Sequence, residues 1–318
     1  MTSNFSERYH RGEYKQVWQE ILQLGESIRE EAVYSDVQNV VSETIDRIGS
    51  NIETIVPRLV SIGYRFGYCW IQPDPNQPFS YKERKRYTSA IEWAGNEPLI
   101  FNSIVDLQRE RLLMEERIEQ FTGINASTII IENIRRNVDT LKKQENERKS
   151  LVERLEQLRG DLPLSIRTWY QKLGEVNFVG SIPEHWRKLL DEEAASLSNN
   201  DERRNKLKSL GFLDPLYISP LSAQLIDEYY NWEANTQTLL PISPSSQAKY
   251  GIISEDSEYS VLLPSKEADA IIINEEHRTY FINYIRICFE WGGFPGWEKT
   301  KHRPDEELSY LREGLLEF

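Results

Sequence analysis

The residues of this chain able to do chemistry are four histidines (His10, His185, His277 and His302), two cysteines (Cys69 and Cys288) and three carboxylate runs, Glu192-Glu193, Glu275-Glu276 and Asp305-Glu306-Glu307. A zinc site needs several imidazole, thiolate or carboxylate ligands at one point, usually announced by HExxH or paired Cys/His spacing. Here the histidines lie far apart and each half of the chain holds one cysteine, so spacing offers no metal set. Adjacent carboxylates can act as an acid/base pair, but such runs read as solvated faces, and beside helix starts they also favour the positive end of the helix dipole. Asp269, next to Ala270-Ile271-Ile272-Ile273, reads as a turn or edge residue. No Walker loop, GxGxxG fingerprint or GxSxG elbow is present, and nothing pairs a nucleophile with a base. The sequence therefore predicts no catalytic residue, no cofactor and no metal.

Composition narrows the class further. With 39% hydrophobic and 11% aromatic residues, the chain of 318 residues has ample material for globular cores and length for two domains. No apolar run approaches the roughly 18 residues of a membrane span, and the first residues lack the basic-then-apolar pattern of a signal peptide. A cytoplasmic protein without a membrane partner is expected, with both cysteines reduced and buried as small hydrophobes. The net charge of −13 is uneven: residues 160–318 hold 16 Lys and Arg against 26 Asp and Glu. Acidity repels nucleic-acid phosphates and speeds encounter with basic proteins, although solubility alone also accounts for it. The basic patch Lys82-Glu83-Arg84-Lys85-Arg86, between Tyr81 and Tyr87, balances local acids more readily than it binds nucleic acid.

The elements that would position a site divide near Gly160. Before it the pattern is helical. Tyr14, Val17, Trp18, Ile21 and Leu22 share one face, and Val41, Ile45, Ile48, Ile52, Ile55, Leu59 and Ile62 form a seam at steps of four and three. Pro57 predicts a kink there, or two helices meeting near Thr54; Gly63 should end the run before a strand-like Tyr64–Trp70. The charged stretch 142–149 reads as a projecting solvated helix, a link, or part of a long antiparallel hairpin. Gly160 ends a helix, and Asp161 can cap the next, with Pro163 at an early position. Beyond it come a short amphipathic helix with Trp169 and Tyr170, a strand at Val176–Gly180, a polar stretch Asp191–Lys208 that reads as a helix or an inserted loop, and four β-rich runs at Pro215–Ile218, Leu239–Ile242, Tyr259–Leu263 and Ala270–Ile273. A helix Tyr280–Phe289 closes the order. This gives an α+β fold: an all-helical domain over 1–159, then an α+β domain over 160–318 with a small antiparallel-rich sheet.

The last helix runs into Phe289-Glu290-Trp291-Gly292-Gly293-Phe294-Pro295-Gly296-Trp297. Glycines and a proline so close together stop the helix, and ordering large aromatics at a chain reversal requires packing. Trp291, Phe294 and Trp297 are expected to form a buried plug, the alternative being an exposed patch for a partner. Together with Leu162-Pro163 and Arg167, Gly174–Gly180, Leu240-Pro241-Ile242-Ser243-Pro244, the strand pair around Tyr259 and Ala270, and Tyr280–Arg286, this half resembles the SUKH superfamily, the Smi/Knr-type domains of bacterial immunity proteins and eukaryotic cell-wall regulators. The glycine run or Gly-Asn pair frequent in that family is replaced here by Gly174-Glu175-Val176-Asn177, and the helical half has no counterpart in the minimal domain.

The resemblance implies a non-enzymatic protein-binding module, an immunity or bacterial defence protein of toxin-antitoxin type that holds an effector. The alternative is a scaffolding or regulatory subunit docking through its helical half, which also offers a route to homo-oligomers. Candidate contacts for a protein partner are Trp297, Arg286, Glu275 and Glu276.

Overall fold

The computed structural model describes residues 4–66, 146–198, 210–230, 237–250 and 256–318. The chain opens with helices α1 (Phe5–His10), α2 (Tyr14–Gln23) and α3 (Glu31–Ser61). The seam read from the sequence is the buried face of α3: Val41, Ile45, Ile48, Ile52, Ile55 and Leu59 are all in the core, with Ile62 half-buried. Its partners lie within the chain, since α3 packs on α1, on α5 (Leu164–Lys172) and on α9 (Asp305–Arg312). Pro57 does not end α3, which runs on to Ser61 as one helix. Proline forfeits a single N–H, and burial of Ile55 and Leu59 on either side holds the last turns in place. Gly63, at φ +90, then stops the helix: Tyr64 N–H donates to the Leu59 carbonyl at 2.9 Å and Gly63 N–H to that of Val60 at 3.0 Å, the Schellman pattern.

Helix α4 (146–159) buries Val152 and Leu155. The charged stretch falls partly outside the described residues, but Arg148 donates to the Lys172 carbonyl at 3.2 Å and so joins the body. Gly160, at φ +79, follows the end of α4. Asp161 does not cap α5. Pro163 is the N-cap residue, and the first free N–H groups, those of Leu164 and Ser165, donate to the Glu267 and Ala268 carbonyls at 3.1 and 2.9 Å. A loop distant in sequence thus does the work expected of a local side chain.

Three antiparallel pairs follow: β1 (Arg65–Phe66) with β3 (Gly180–Ser181), β2 (Val176–Asn177) with β4 (Tyr217–Ile218), and β5 (Thr238–Ser243) with β6 (Tyr259–Leu263). The run expected as one strand, Val176–Gly180, splits into β2 and β3 because the Asn177 carboxamide accepts the Val179 N–H at 2.9 Å and turns the chain. Ala270–Ile273 makes only isolated bridges, Ser260 with Ile273 and Ile271 with Tyr280. Helices α6 (Glu184–Ser196), α7 (Ala223–Tyr230), α8 (Phe281–Glu290) and α9 complete an α+β fold with a helical N-terminal region. Pairing of β1 with β3, and a hydrogen bond from the Tyr64 hydroxyl to the Phe178 carbonyl, join residues from before and after Gly160. The described parts of both halves share one hydrophobic core.

The aromatic block behaves as a plug. Gly292 (φ +62) and Gly293 (φ +97) end α8 in a second Schellman turn, with Gly293 N–H on the Cys288 carbonyl at 2.7 Å and Gly292 N–H on that of Phe289 at 3.2 Å. The following 3-10 helix, Pro295–Lys299, carries Trp297 inward. The rings of Phe294 and Trp297 stand edge-on to Trp186, with centroids 5.4 and 5.5 Å away, and Tyr64 lies 5.2 Å from Phe294. Glycine is required at 296, where a Cβ would fall 2.0 Å from the Phe212 carbonyl oxygen. Trp291 is only half-buried and lies under the Arg303 guanidinium at 5.1 Å.

Candidate functional site

The turn 274–279, which carries Glu275 and Glu276, touches the 3-10 helix 295–299, which carries Trp297. Glu275 is 2% exposed and accepts from His277 twice, from the backbone N–H at 2.9 Å and from Nδ1 at 2.6 Å. The other ring nitrogen of His277 lies 2.7 Å from Glu298. Glu276 is exposed and pairs with Lys299. Trp297 is fully buried against Trp186, so its ring belongs to the plug and has no face to offer a partner. Glu275, being buried, departs in the same way from the solvated reading of its run.

Arg286 lies elsewhere. Its Nε donates to the main-chain carbonyl of Phe318 at 2.8 Å and its Nη1 to Asn283 Oδ1 at 2.6 Å, with the guanidinium stacked near Trp18 and Phe318. Burial lowers its pKa, while Tyr9 and Asp269 oppose that shift. Arg286 thus joins α8 to the N-terminal helices and the last residues; its two hydrogen-bond partners are a carbonyl and an amide.

The buried polar groups that sequence patterning missed are held by partners. Asp269 is fully buried: Oδ1 accepts from the Ser165 hydroxyl at 2.7 Å and Ala270 N–H at 2.9 Å, and Oδ2 accepts from Ile282 N–H at 3.1 Å, in the first turn of α8. It pins the starts of α5 and α8 together. Lys249, with no exposed side-chain surface, donates to Asp214 Oδ1 at 2.6 Å, and the Tyr259 hydroxyl donates to Asp214 Oδ2 at 3.0 Å. Glu193, also 2% exposed, accepts the backbone N–H groups of Lys301 and His302 at 3.1 and 3.3 Å. The Cys288 thiol is buried as expected, and burial pushes its pKa up, away from the reactive thiolate. Cys69 lies outside the described residues. The only sequence signal for the Lys249 cluster was Asp214-Pro215, a turn dipeptide whose Asp takes φ +46.

Asp269 gives a pH prediction. Burial raises its pKa to about 6, against its hydrogen bonds and the Arg286 charge. The folded state therefore holds the proton more tightly than the unfolded chain, and stability falls as pH rises from about 4 through about 6, by on the order of 2–3 kcal/mol. Urea unfolding at pH 4.5 and 7 should show this slope in the wild type and lose it in Asp269→Asn. Equal slopes would place the shifted group elsewhere.

A broad concavity with a charged rim lies between α6 and α9, a groove of about 500 Å³ lined by His185, Lys188, Leu189, Arg303, Pro304 and the run Asp305–Glu307. The carboxylates occupy the first turn of α9, where the helix dipole favours them. Glu307 fastens the two walls, accepting from His185 Nε2 at 2.7 Å and from the Trp186 indole N–H. Asp305 and Glu306 face outward, as does Glu184 at the start of α6. Among the described residues, no group of His, Cys, Asp and Glu is placed to hold a metal, and no helix is long and apolar enough to cross a membrane. No family model matches the chain, and comparison with curated proteins and with solved structures finds no match.

Proposed function

We propose that the chain is a SUKH-like, non-enzymatic protein-binding module of the cytoplasm, an immunity or defence-associated protein that holds a basic effector in the groove between α6 and α9. The observation that carries this reading is the groove itself: Leu189 and Pro304 give it apolar lining beside His185, Lys188 and Arg303, and Asp305 and Glu306 stand exposed at its edge. The surplus of carboxylates over residues 160–318 adds long-range attraction for a basic partner. The inward-facing Asp269, Lys249, Asp214 and Glu193 are already hydrogen-bonded within the fold, which supports a binding role over a chemical one.

A scaffolding role through the helical half draws on a different surface. Val60 and Tyr310 are both exposed, with Arg58 over the Tyr310 ring at 5.4 Å and the Ser61 hydroxyl 3.4 Å from the Tyr310 hydroxyl. The α3 seam is occupied within the chain, so a second copy would need this or another face.

The test is retention of partner protein by immobilised wild-type chain and by Asp305→Lys/Glu306→Lys, whose side chains are exposed and whose fold should be unchanged by circular dichroism. A basic protein kept by the wild type should bind the variant about tenfold or more weakly, with the difference shrinking at high salt. Identical retention would reject the groove.

A further inference from the structure

We propose that the turn 274–279 is clasped to the 3-10 helix Pro295–Lys299 by a protonated His277, and that loss of this proton releases the turn beside the aromatic plug. With both carboxylates ionised, the geometry points to one charge state. His277 Nδ1 lies 2.6 Å from Glu275 Oε1 and Nε2 lies 2.7 Å from Glu298 Oε2. An ionised carboxylate only accepts, so each contact needs a proton on the ring, and a ring carrying both is the imidazolium. A neutral imidazole keeps one contact and turns a nitrogen lone pair on the other carboxylate. Glu275, at 2% exposure, has almost no water to replace a lost donor.

The turn depends on such contacts because its backbone is not relaxed. Asn274 and Arg278 adopt φ +70 and +48, conformations that L residues seldom take. Besides the clasp it is held by Arg278 N–H on the Glu275 carbonyl at 3.1 Å, by the Asn274 amide on the Glu258 carbonyl at 3.0 Å, and by the Glu276–Lys299 ion pair. The ionisable groups facing His277 are Glu275 of its own turn and Glu298 of the 3-10 helix; Glu276 and Arg278 share the turn, Lys299 pairs with Glu276, and Tyr259 of β6 and Cys288 of α8 lie near Glu275. Carboxylates outnumber permanent cations in that set, which favours the proton.

Burial opposes the charge on the ring, but the hydrogen bonds to Glu298 and Glu275 outweigh it and raise the pKa above the ordinary 6.5. A raised histidine pKa means the clasp contributes fully below about 6.5 and fades as pH climbs through the higher folded value. The device is closed below about pH 6.5 and opens as pH rises through the raised value.

The test uses the full chain labelled with ¹⁵N. Ring ¹⁵N shifts assigned to His277 should show two protonated nitrogens at pH 6, with His10, His185 and His302 as internal comparisons. Hydrogen exchange at the His277 and Arg278 amides, corrected for the intrinsic rate, should lose protection by roughly tenfold or more between pH 6 and pH 9. In His277→Gln, protection at the Arg278 amide should not change with pH. A neutral-ring signature at pH 6, or the same fall in protection in His277→Gln, would overturn the proposal; the ring signature decides even if the variant folds poorly.

Discussion

Trp297→Ala should lower stability by about 3–5 kcal/mol, whereas Trp291→Ala, six residues earlier in the same aromatic block, should cost no more than about 1 kcal/mol. The contrast follows from position. Trp297 is fully buried and edge-on to Trp186, so truncation leaves a cavity where Phe294, Trp186 and Tyr64 converge and where the glycine contacts leave no slack for collapse. Trp291 keeps part of its surface in water, and its contact with Arg303 is a partly solvated cation–π pair. Chemical denaturation of both variants checks this. Equal losses would mean that the block packs as one unit and that the half-buried position of Trp291 is wrong.

The second large effect is expected at Ile48. Removing a buried isoleucine forfeits about 1.5–3 kcal/mol of burial, and a lysine in its place would also have to desolvate its ammonium or push α3 outward. Outward movement would also give up the close approach next door, where Gly49 brings the α3 backbone so near α5 that an added Cβ would lie 3.1 Å from Leu173 Cδ2. Ile48→Lys should therefore abolish cooperative melting, while Val60→Lys, on the exposed side of the same helix, should stay within about 0.5 kcal/mol of wild type. A folded Ile48→Lys with an unchanged melting temperature would show that the seam is not part of the shared core.

Periodic apolar patterning carried the parts of this fold that depend on local repetition. The α3 seam, the glycine stop at Gly63, strands β5 and β6, and the plug around Trp297 were all legible, because each depends on residues close in sequence. What was not legible depends on distant groups. The cap of α5 comes from carbonyls of Glu267 and Ala268, and no residue near Asp161 records that substitution. α7 and α9 were missed because eight-residue helices carry little periodic signal; α9 buries just Leu308 and Leu311. The carboxylates separated in a way that composition cannot foresee. Asp305 and Glu306 are solvated as read, while Glu193 and Glu275, each beside a second Glu, are buried because backbone N–H groups converge on them. Asp269 looked like an edge residue because its apolar neighbours resemble a strand, yet its value lies in joining two helix starts separated by more than a hundred residues.

The central claim, that a protein partner occupies the groove between α6 and α9, is most directly tested by hydrogen-exchange footprinting of the captured complex against the free chain. The account predicts new protection at 184–189 and 303–307, with the exposed side of α3 around Val60 and the outer face of β5 and β6 unchanged. Protection confined to α1–α3 and Tyr310, with the groove unaffected, would contradict it and support docking through the helical half.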